Sequence, residues 1–202
     1  MKVTLDSNCI YALRENTAQT VFVQELIDLQ KQGKITLQIP LIATYENRRG
    51  QTKGALPVGK ENLEEEFRDE VKALGLDNVV YLPRPALLED PQLFPSPDLF
   101  PIGNDVVVKY KEIADLIHPG LDAEKMLEED QKTNPTASFS PRWNNRYRDV
   151  LMLICHIMCK GDVFVSNDKK IYNKAGELKR LGAGVVISCR DDDRKILYAL
   201  LQ

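Results

Sequence analysis

The sequence predicts an α/β protein, a three-layer α/β/α sandwich with a mainly parallel central sheet. Three observations carry that expectation. Short β-type runs alternate with longer segments of helical period along the chain. Those runs are short and read as apolar on both faces, as strands of a covered parallel sheet are. Glycines and prolines punctuate the boundaries between the segments.

The elements follow in order. "KVTL" (Lys2 to Leu5) is a short strand. "TAQTVFVQELIDLQKQG" has helical spacing, with Val21, Leu26 and Leu29 on one face and Gly33 at its end. "KITLQIP" is a second strand, closed by Pro40, and "LIATYENRRG" a short helix ending at Gly50. "VGKENLEEEFRDEVKALGL" is a charged amphipathic helix on which Phe67, Val71 and Leu74 repeat at helical spacing. "NVVYLP" is a third strand. Six of the eleven prolines then fall between Pro83 and Pro101, which predicts a loop. "NDVVVKYKEIADLIHPG" and "LDAEKMLEEDQK" read as helices, and "NPTASFSPRW" as loop. "RDVLMLICHIMCKG" is a strongly apolar helix. "DVFVS" and "GVVIS" are strands, with "KKIYNKAGELKRLG" as one helix between them and "DDDRKILYALLQ" as a closing helix.

Size and composition bound the function. A chain of 202 residues suits one well-filled core, so one domain is expected over 1–202, with an enlarged helical and proline-rich middle region at about 51–141. Its net charge of −3 excludes a broad basic surface, though not a local basic patch. The opening "MKVTLDSN" has an acid at Asp6 and does not read as a secretory signal, and no apolar run is long enough to span a bilayer, so a cytoplasmic location is expected. Cys9, Cys155, Cys159 and Cys189 lack paired zinc-ribbon spacing. "CHIMC" reads as small buried residues on an apolar helix rather than as a metal site.

In open parallel sheets, sites form beyond the carboxyl ends of the strands. The first strand ends in "LDSN" with Asp6, and the second is followed by "PLIATYE" with Glu46. The apolar helix opens with Asp149 in "YRDVLML", and the next strand ends in "SND" with Asp168. Singly, each acid has a plain explanation as a helix cap or a solvated charge. Four like charges from four elements at one edge need a cation to offset them, and carboxylate oxygens suit Mg²⁺ or Mn²⁺. Asp162 precedes its strand and belongs to the opposite edge. Asp191 to Asp193 follow the last strand, where helix capping is the favoured role.

"VTLDSNCI", "PLIATYEN", "RDVLMLICHIMCKGDVFVSNDKKI" and "GVVIS" together resemble the PIN-domain nucleases. That family has an acid after the first strand, a Glu on an early helix, an Asp opening a late apolar helix and an Asp after the next strand. Asp6, Glu46, Asp149 and Asp168 match these in order, while Ser166 and Asn8 match its accompanying small polar residues. The likeness covers roughly 1–50 and 142–190. Between them only the order of helices and strand matches. It implies a PIN-like fold and metal-dependent hydrolysis of phosphodiester bonds, usually in RNA. It also implies Mg²⁺ or Mn²⁺ held by the four acids, with Asn8 and Ser166 bracing them. Members include toxins of toxin–antitoxin pairs, which brings in an antitoxin-type inhibitor and a homodimer as expected partners. The chain is longer than the small toxin-type members, and "RYRD" sets two arginines beside the third acid.

RNA contact needs positive charge near the acids. "ENRRGQTKG" supplies Arg48, Arg49 and Lys53. "SPRWNNRYRD" supplies Arg142, Arg146 and Arg148 interleaved with Trp143, a mixture suited to a splayed single strand. Lys169 and Lys170 can offset the acids or touch phosphate. Two alternatives stand beside the ribonuclease. One is a PIN-like RNA-binding or scaffold module with weak or no cleavage. The other is a different α/β class, such as an acid-lined phosphatase or a receiver-like domain.

Overall fold

The computed structural model describes residues 1–45, 63–85, 99–100, 103–133, 135 and 140–202. The strands among them are β1 (Lys2–Leu5), β2 (Thr36–Pro40), β3 (Val80–Leu82), β4 (Arg84–Pro85), β5 (Leu99–Phe100), β6 (Val163–Val165) and β7 (Val185–Ile187). The helices are α1 (Ser7–Glu15), α2 (Thr20–Lys31), α3 (Leu63–Ala73), α4 (Asn104–Ile117), α5 (Ala123–Gln131), α6 (Pro141–Met158), α7 (Lys169–Tyr172), α8 (Ala175–Arg180) and α9 (Asp191–Leu200).

Five strands form a parallel sheet in the order β3-β2-β1-β6-β7, flanked by helices, which is the α/β class expected. Val3, Leu5, Leu37, Ile39 and all three residues of β6 are fully buried. β6 and β7 are apolar throughout, whereas β1 and β2 alternate apolar with polar residues; their polar members Thr4 and Gln38 are nonetheless buried, as expected where helices cover both faces. The chain runs outward from β1 to β2 and β3, then returns to the other side of β1 for β6 and β7. This reversal makes the carboxyl ends of β1 and β6 the switch point, where helices leaving neighbouring strands diverge and a crevice opens. Register places Leu5 beside Val165, and Val165 beside Ile187, so Asp6, Ser166 and Ser188 continue three adjacent strands.

Several local expectations are corrected. The helix α1 was not foreseen: its buried face is only Cys9, Ile10 and Ala12, too short to show a period. The chain after β2 forms a 3-10 turn over Leu41–Tyr45, and Glu46 to Gly50 lie outside the described residues. Part of the proline-rich stretch is ordered as a two-stranded parallel ladder, with Arg84 beside Leu99 and Pro85 beside Phe100. "KKIYNKAGELKRLG" makes two short helices, α7 and α8, rather than one.

The largest correction concerns α6. "SPRW" was read as loop and Asp149 as the opening residue of the helix, yet α6 begins two turns earlier. Ser140 is its N-cap, accepting from the Trp143 backbone N–H at 3.1 Å, with a proline in the first helical positions. Both are strong start signals. Asp149 therefore sits mid-helix, where neither capping nor a helix N-terminus accounts for it.

The core around α6 includes one polar knot. His156 is fully buried, with Nδ1 2.7 Å from Thr4 Oγ1 and Nε2 2.9 Å from the Ala183 carbonyl. Thr4 also reaches Gln38 Oε1 at 3.2 Å. Gly161 permits this approach, because a Cβ there would lie 2.2 Å from His156 Nδ1. Burial pushes the His156 imidazole down from 6.5 to about 4, so it is neutral in the fold. Of "CHIMC", Cys155 and His156 are buried, Cys159 is half-buried and Met158 is exposed. No helix among the described residues is long and apolar enough to cross a membrane.

Candidate functional site

Asp6 follows β1 directly and is only 4% exposed. Its backbone N–H donates to the Val165 carbonyl at 3.0 Å, which ties it to the end of β6. Oδ2 accepts from Asn8 Nδ2 at 2.7 Å and from Ser166 Oγ, and Oδ1 accepts from Ser7 Oγ at 3.2 Å. Asn8 crosses the gap a second time, accepting from the Asn167 backbone N–H at 3.1 Å. Asn8 and Ser166 thus brace the first acid and lock the ends of β1 and β6 together. A carboxylate that accepts three donors normally ionises easily. Here burial outweighs them and, with the nearby Asp149 charge, pushes the Asp6 carboxyl up from 3.8 to about 6.

Asp149 projects from the middle of α6 and is also raised. Burial is the largest cause, a hydrogen bond and charge from His118 oppose it, and Asp168 adds a like charge. His118 Nε2 lies 2.8 Å from Asp149 Oδ2, and its side chain is 2% exposed. Lys170 also acts on Asp149, in the opposite sense to Asp168. Asp168 follows β6. Its backbone N–H donates to Ser166 Oγ at 3.1 Å, and its Oδ1 accepts from the Lys170 N–H at 2.8 Å. Asp168 is therefore the N-cap of α7, and its charge also acts on Asp149.

The three described acids thus form an electrostatic chain, Asp6 to Asp149 to Asp168, at the switch point. Glu46, the fourth expected member, lies outside the described residues, as do Arg48, Arg49 and Lys53. Among the described residues no three acidic, histidine or cysteine side chains stand close enough to grip one metal ion directly. The donor set is nonetheless all oxygen, which suits Mg²⁺ or Mn²⁺, ions that keep several waters and bind carboxylates through them. Asp162 accepts from the Lys2 backbone N–H at 2.7 Å, at the amino-terminal ends of β1 and β6, the edge assigned to it. Asp193 accepts from both the Ser188 N–H at 2.7 Å and the Ser188 hydroxyl, so it ties the start of α9 to the end of β7.

The expected RNA-contacting residues divide. Arg142 is half exposed, but its guanidinium pairs with Asp130 at 2.6 Å and Glu129 at 3.3 Å, joining α5 to α6. Arg148 is 3% exposed, which corrects its expected place at the surface: the inward face of α6 carries it into the interior. Trp143 stacks on Tyr147 with ring centroids 4.6 Å apart, and Arg146 reaches Met126 Sδ at 3.8 Å. Both remain partly exposed.

His118 is the site residue that sequence reasoning missed. "LIHPG" marked only the end of a helix, and nothing local links it to an acid 31 positions later. Ser7 was likewise passed over, though it lies beside Asp6.

No protein-family model matches the chain, and no curated protein matches it. Among solved structures, the crystal structure of VapBC2 from Rickettsia felis bound to a DNA fragment from their promoter is similar. It shares 13% sequence identity, covers 93% of this chain and 98% of that chain, and has a TM-score of 0.39. At a TM-score this low the superposition assigns neither family nor activity.

Proposed function

We propose that the chain is a PIN-like, metal-dependent endoribonuclease that hydrolyses phosphodiester bonds in single-stranded RNA. One observation carries the proposal. The buried Asp6 carboxyl and the half-buried Asp149 carboxyl both have raised proton affinity, chiefly from desolvation, with Asp149 adding to the rise at Asp6 and Asp168 to that at Asp149, beyond the carboxyl ends of β1 and β6. Such clustering costs stability unless a cation offsets it, and perturbed acids in a cleft mark sites of chemistry. The resemblance of the sequence motifs to the PIN-domain nucleases supplies the reaction class. It also supplies the toxin role with an antitoxin-type partner, which nothing in the geometry addresses.

Asp6, Asp149, Asp168 and Glu46 would hold Mg²⁺ or Mn²⁺, directly or through water. When bound, the ion activates a water and offsets charge on the phosphate. Ser166 and Asn8 keep Asp6 from rotating away, as bracing donors do around metal-binding carboxylates. The Lys170 ammonium, which already acts on Asp149, is set to meet a phosphate. With Arg142 in ion pairs and Arg148 buried, Arg146 and Trp143 are the described candidates for contact with the strand.

The test is incubation with a mixed single-stranded RNA in Mg²⁺, Mn²⁺ or EDTA, beside Asp6→Asn and Asp168→Asn. Metal-dependent cutting by the native chain, absent in both variants, is expected. Retention of cutting in either variant would remove that acid from the mechanism. Metal and RNA binding without cutting would favour the binding-module alternative.

A further inference from the structure

The helical region between the prolines and α6 has no counterpart in the motifs that suggest the activity, yet it reaches the acidic site through one side chain. The helix α4 packs along α6 and ends at His118. The residue before a proline is driven out of helical conformation. His118 duly has φ −135° and ψ 66°, and Gly120 then takes φ +72°, a left-handed turn that glycine adopts without strain. The break turns the His118 ring inward to 2% exposure, where Nε2 meets Asp149 Oδ2 at 2.8 Å.

An ionised carboxylate can only accept, so Nε2 must carry the proton in this contact. The contact at Oδ2 therefore fixes the orientation of the Asp149 carboxylate and leaves Oδ1 the less encumbered oxygen for a cation. Mid-helix aspartates have mobile side chains, and a metal site needs its ligands held. A purely structural explanation fits less well. Burying a His–Asp pair gains little over an apolar pair of similar volume, so stability alone gives no reason for it.

We propose that His118 is a positioning residue of the acidic site. It holds Asp149 by Oδ2 and so presents Oδ1 in a fixed orientation, so that the α4 region takes part in metal binding. This rests on the metal-site reading of the proposed function. It parallels the way Ser166 and Asn8 hold Asp6, but from an element far away in sequence.

The test is Mn²⁺ titration of the full chain at neutral pH, with free Mn²⁺ read by electron paramagnetic resonance. Native protein is compared with His118→Leu, His118→Gln and His118→Asn, with melting temperatures recorded in parallel. Glutamine places an amide N–H near the position of imidazole Nε2. Leucine has no donor, and the asparagine amide stops short. Affinity is expected to fall about 10–100-fold in His118→Leu and His118→Asn, the usual loss when a bracing partner is removed, and to stay within a few-fold of native in His118→Gln. His118→Leu binding Mn²⁺ as tightly as native protein would overturn the proposal. So would equal losses in His118→Gln and His118→Leu that track their melting temperatures, which would mark a packing role. Should His118→Leu not fold, the contrast of His118→Gln with His118→Asn decides alone. Failure of the folded native chain to bind Mn²⁺ would instead sink the metal-site reading itself, an outcome distinct from an unchanged affinity in the variants.

Discussion

Asp6 and His156 lie on opposite sides of a balance set by burial. The Asp6 carboxyl is raised from 3.8 to about 6. Between those values the fold binds more protons than the unfolded chain, so Asp6 contributes stability that is full below 3.8 and is lost as pH rises through 6. His156 is lowered from 6.5 to about 4, so its contribution is full above 6.5 and is lost as pH falls through 4. Each effect is roughly 3 kcal/mol, and over the shared window they oppose each other. The contributions of these two groups should therefore largely cancel between these limits. Asp6→Asn should melt higher than native at neutral pH while losing cleavage, and its stability should rise more across that window than that of the native chain, because one of the raised carboxyls that oppose His156 is gone. Urea unfolding at pH 4, 5, 6 and 7 checks this, and a flat profile in Asp6→Asn would contradict it. Mn²⁺ should also raise the native melting temperature more at neutral pH than at pH 5, because protons compete for Asp6. Asp6 was legible in the sequence because it follows an apolar strand. Its raised proton affinity was not, because that depends first on burial by elements distant in sequence and then on the charge of Asp149, which arrives from another element.

At the scale of elements, α6 carries Asp149. Ser140 accepts from the Trp143 N–H and donates to Asp130 Oδ2 at 2.7 Å, so one hydroxyl both starts α6 and fastens it to α5. Ser140→Ala should cost about 1 kcal/mol in chemical unfolding, the usual loss of an N-cap. Its effect on cleavage should be small, because Asp149 lies more than two turns further along. Gly161→Ala should cost more, since its Cβ would collide with His156 and force apart the contact between α6 and β1. A loss of about 2 kcal/mol or greater is expected from such a clash. The apolar run of α6 was visible in the sequence. Its true start was missed because Arg142 to Arg148 look polar, whereas this stretch is stabilised by its cap, by the Arg142 ion pairs and by the stacking of Trp143 on Tyr147. The short α1 and the split of α7 from α8 were hidden for a simpler reason: segments of four to nine residues complete too few turns to show a period.

The whole molecule separates its acids by edge. Asp162 and Asp168 flank the same strand, yet one ends at the amino-terminal edge on the Lys2 N–H and the other at the switch point. Asp162→Asn should leave metal affinity and cleavage within about twofold of native, as is usual for a residue distant from the chemistry. Asp168→Asn should abolish cleavage. A strong loss in Asp162→Asn, measured in the same assay, would contradict the edge assignment. The sequence by itself determined the α/β class, the strands of the main sheet and the strand ends at which Asp6, Asp162 and Asp168 lie. These follow from local period and from the rule that sites lie beyond strand ends, both short-range properties. Only the tertiary structure decided which acids feel one another, which arginines are spent on ion pairs or buried, and that His118 reaches Asp149. Those facts depend on how α4 and α6 pack across the sheet, and packing between distant segments leaves no mark on local spacing.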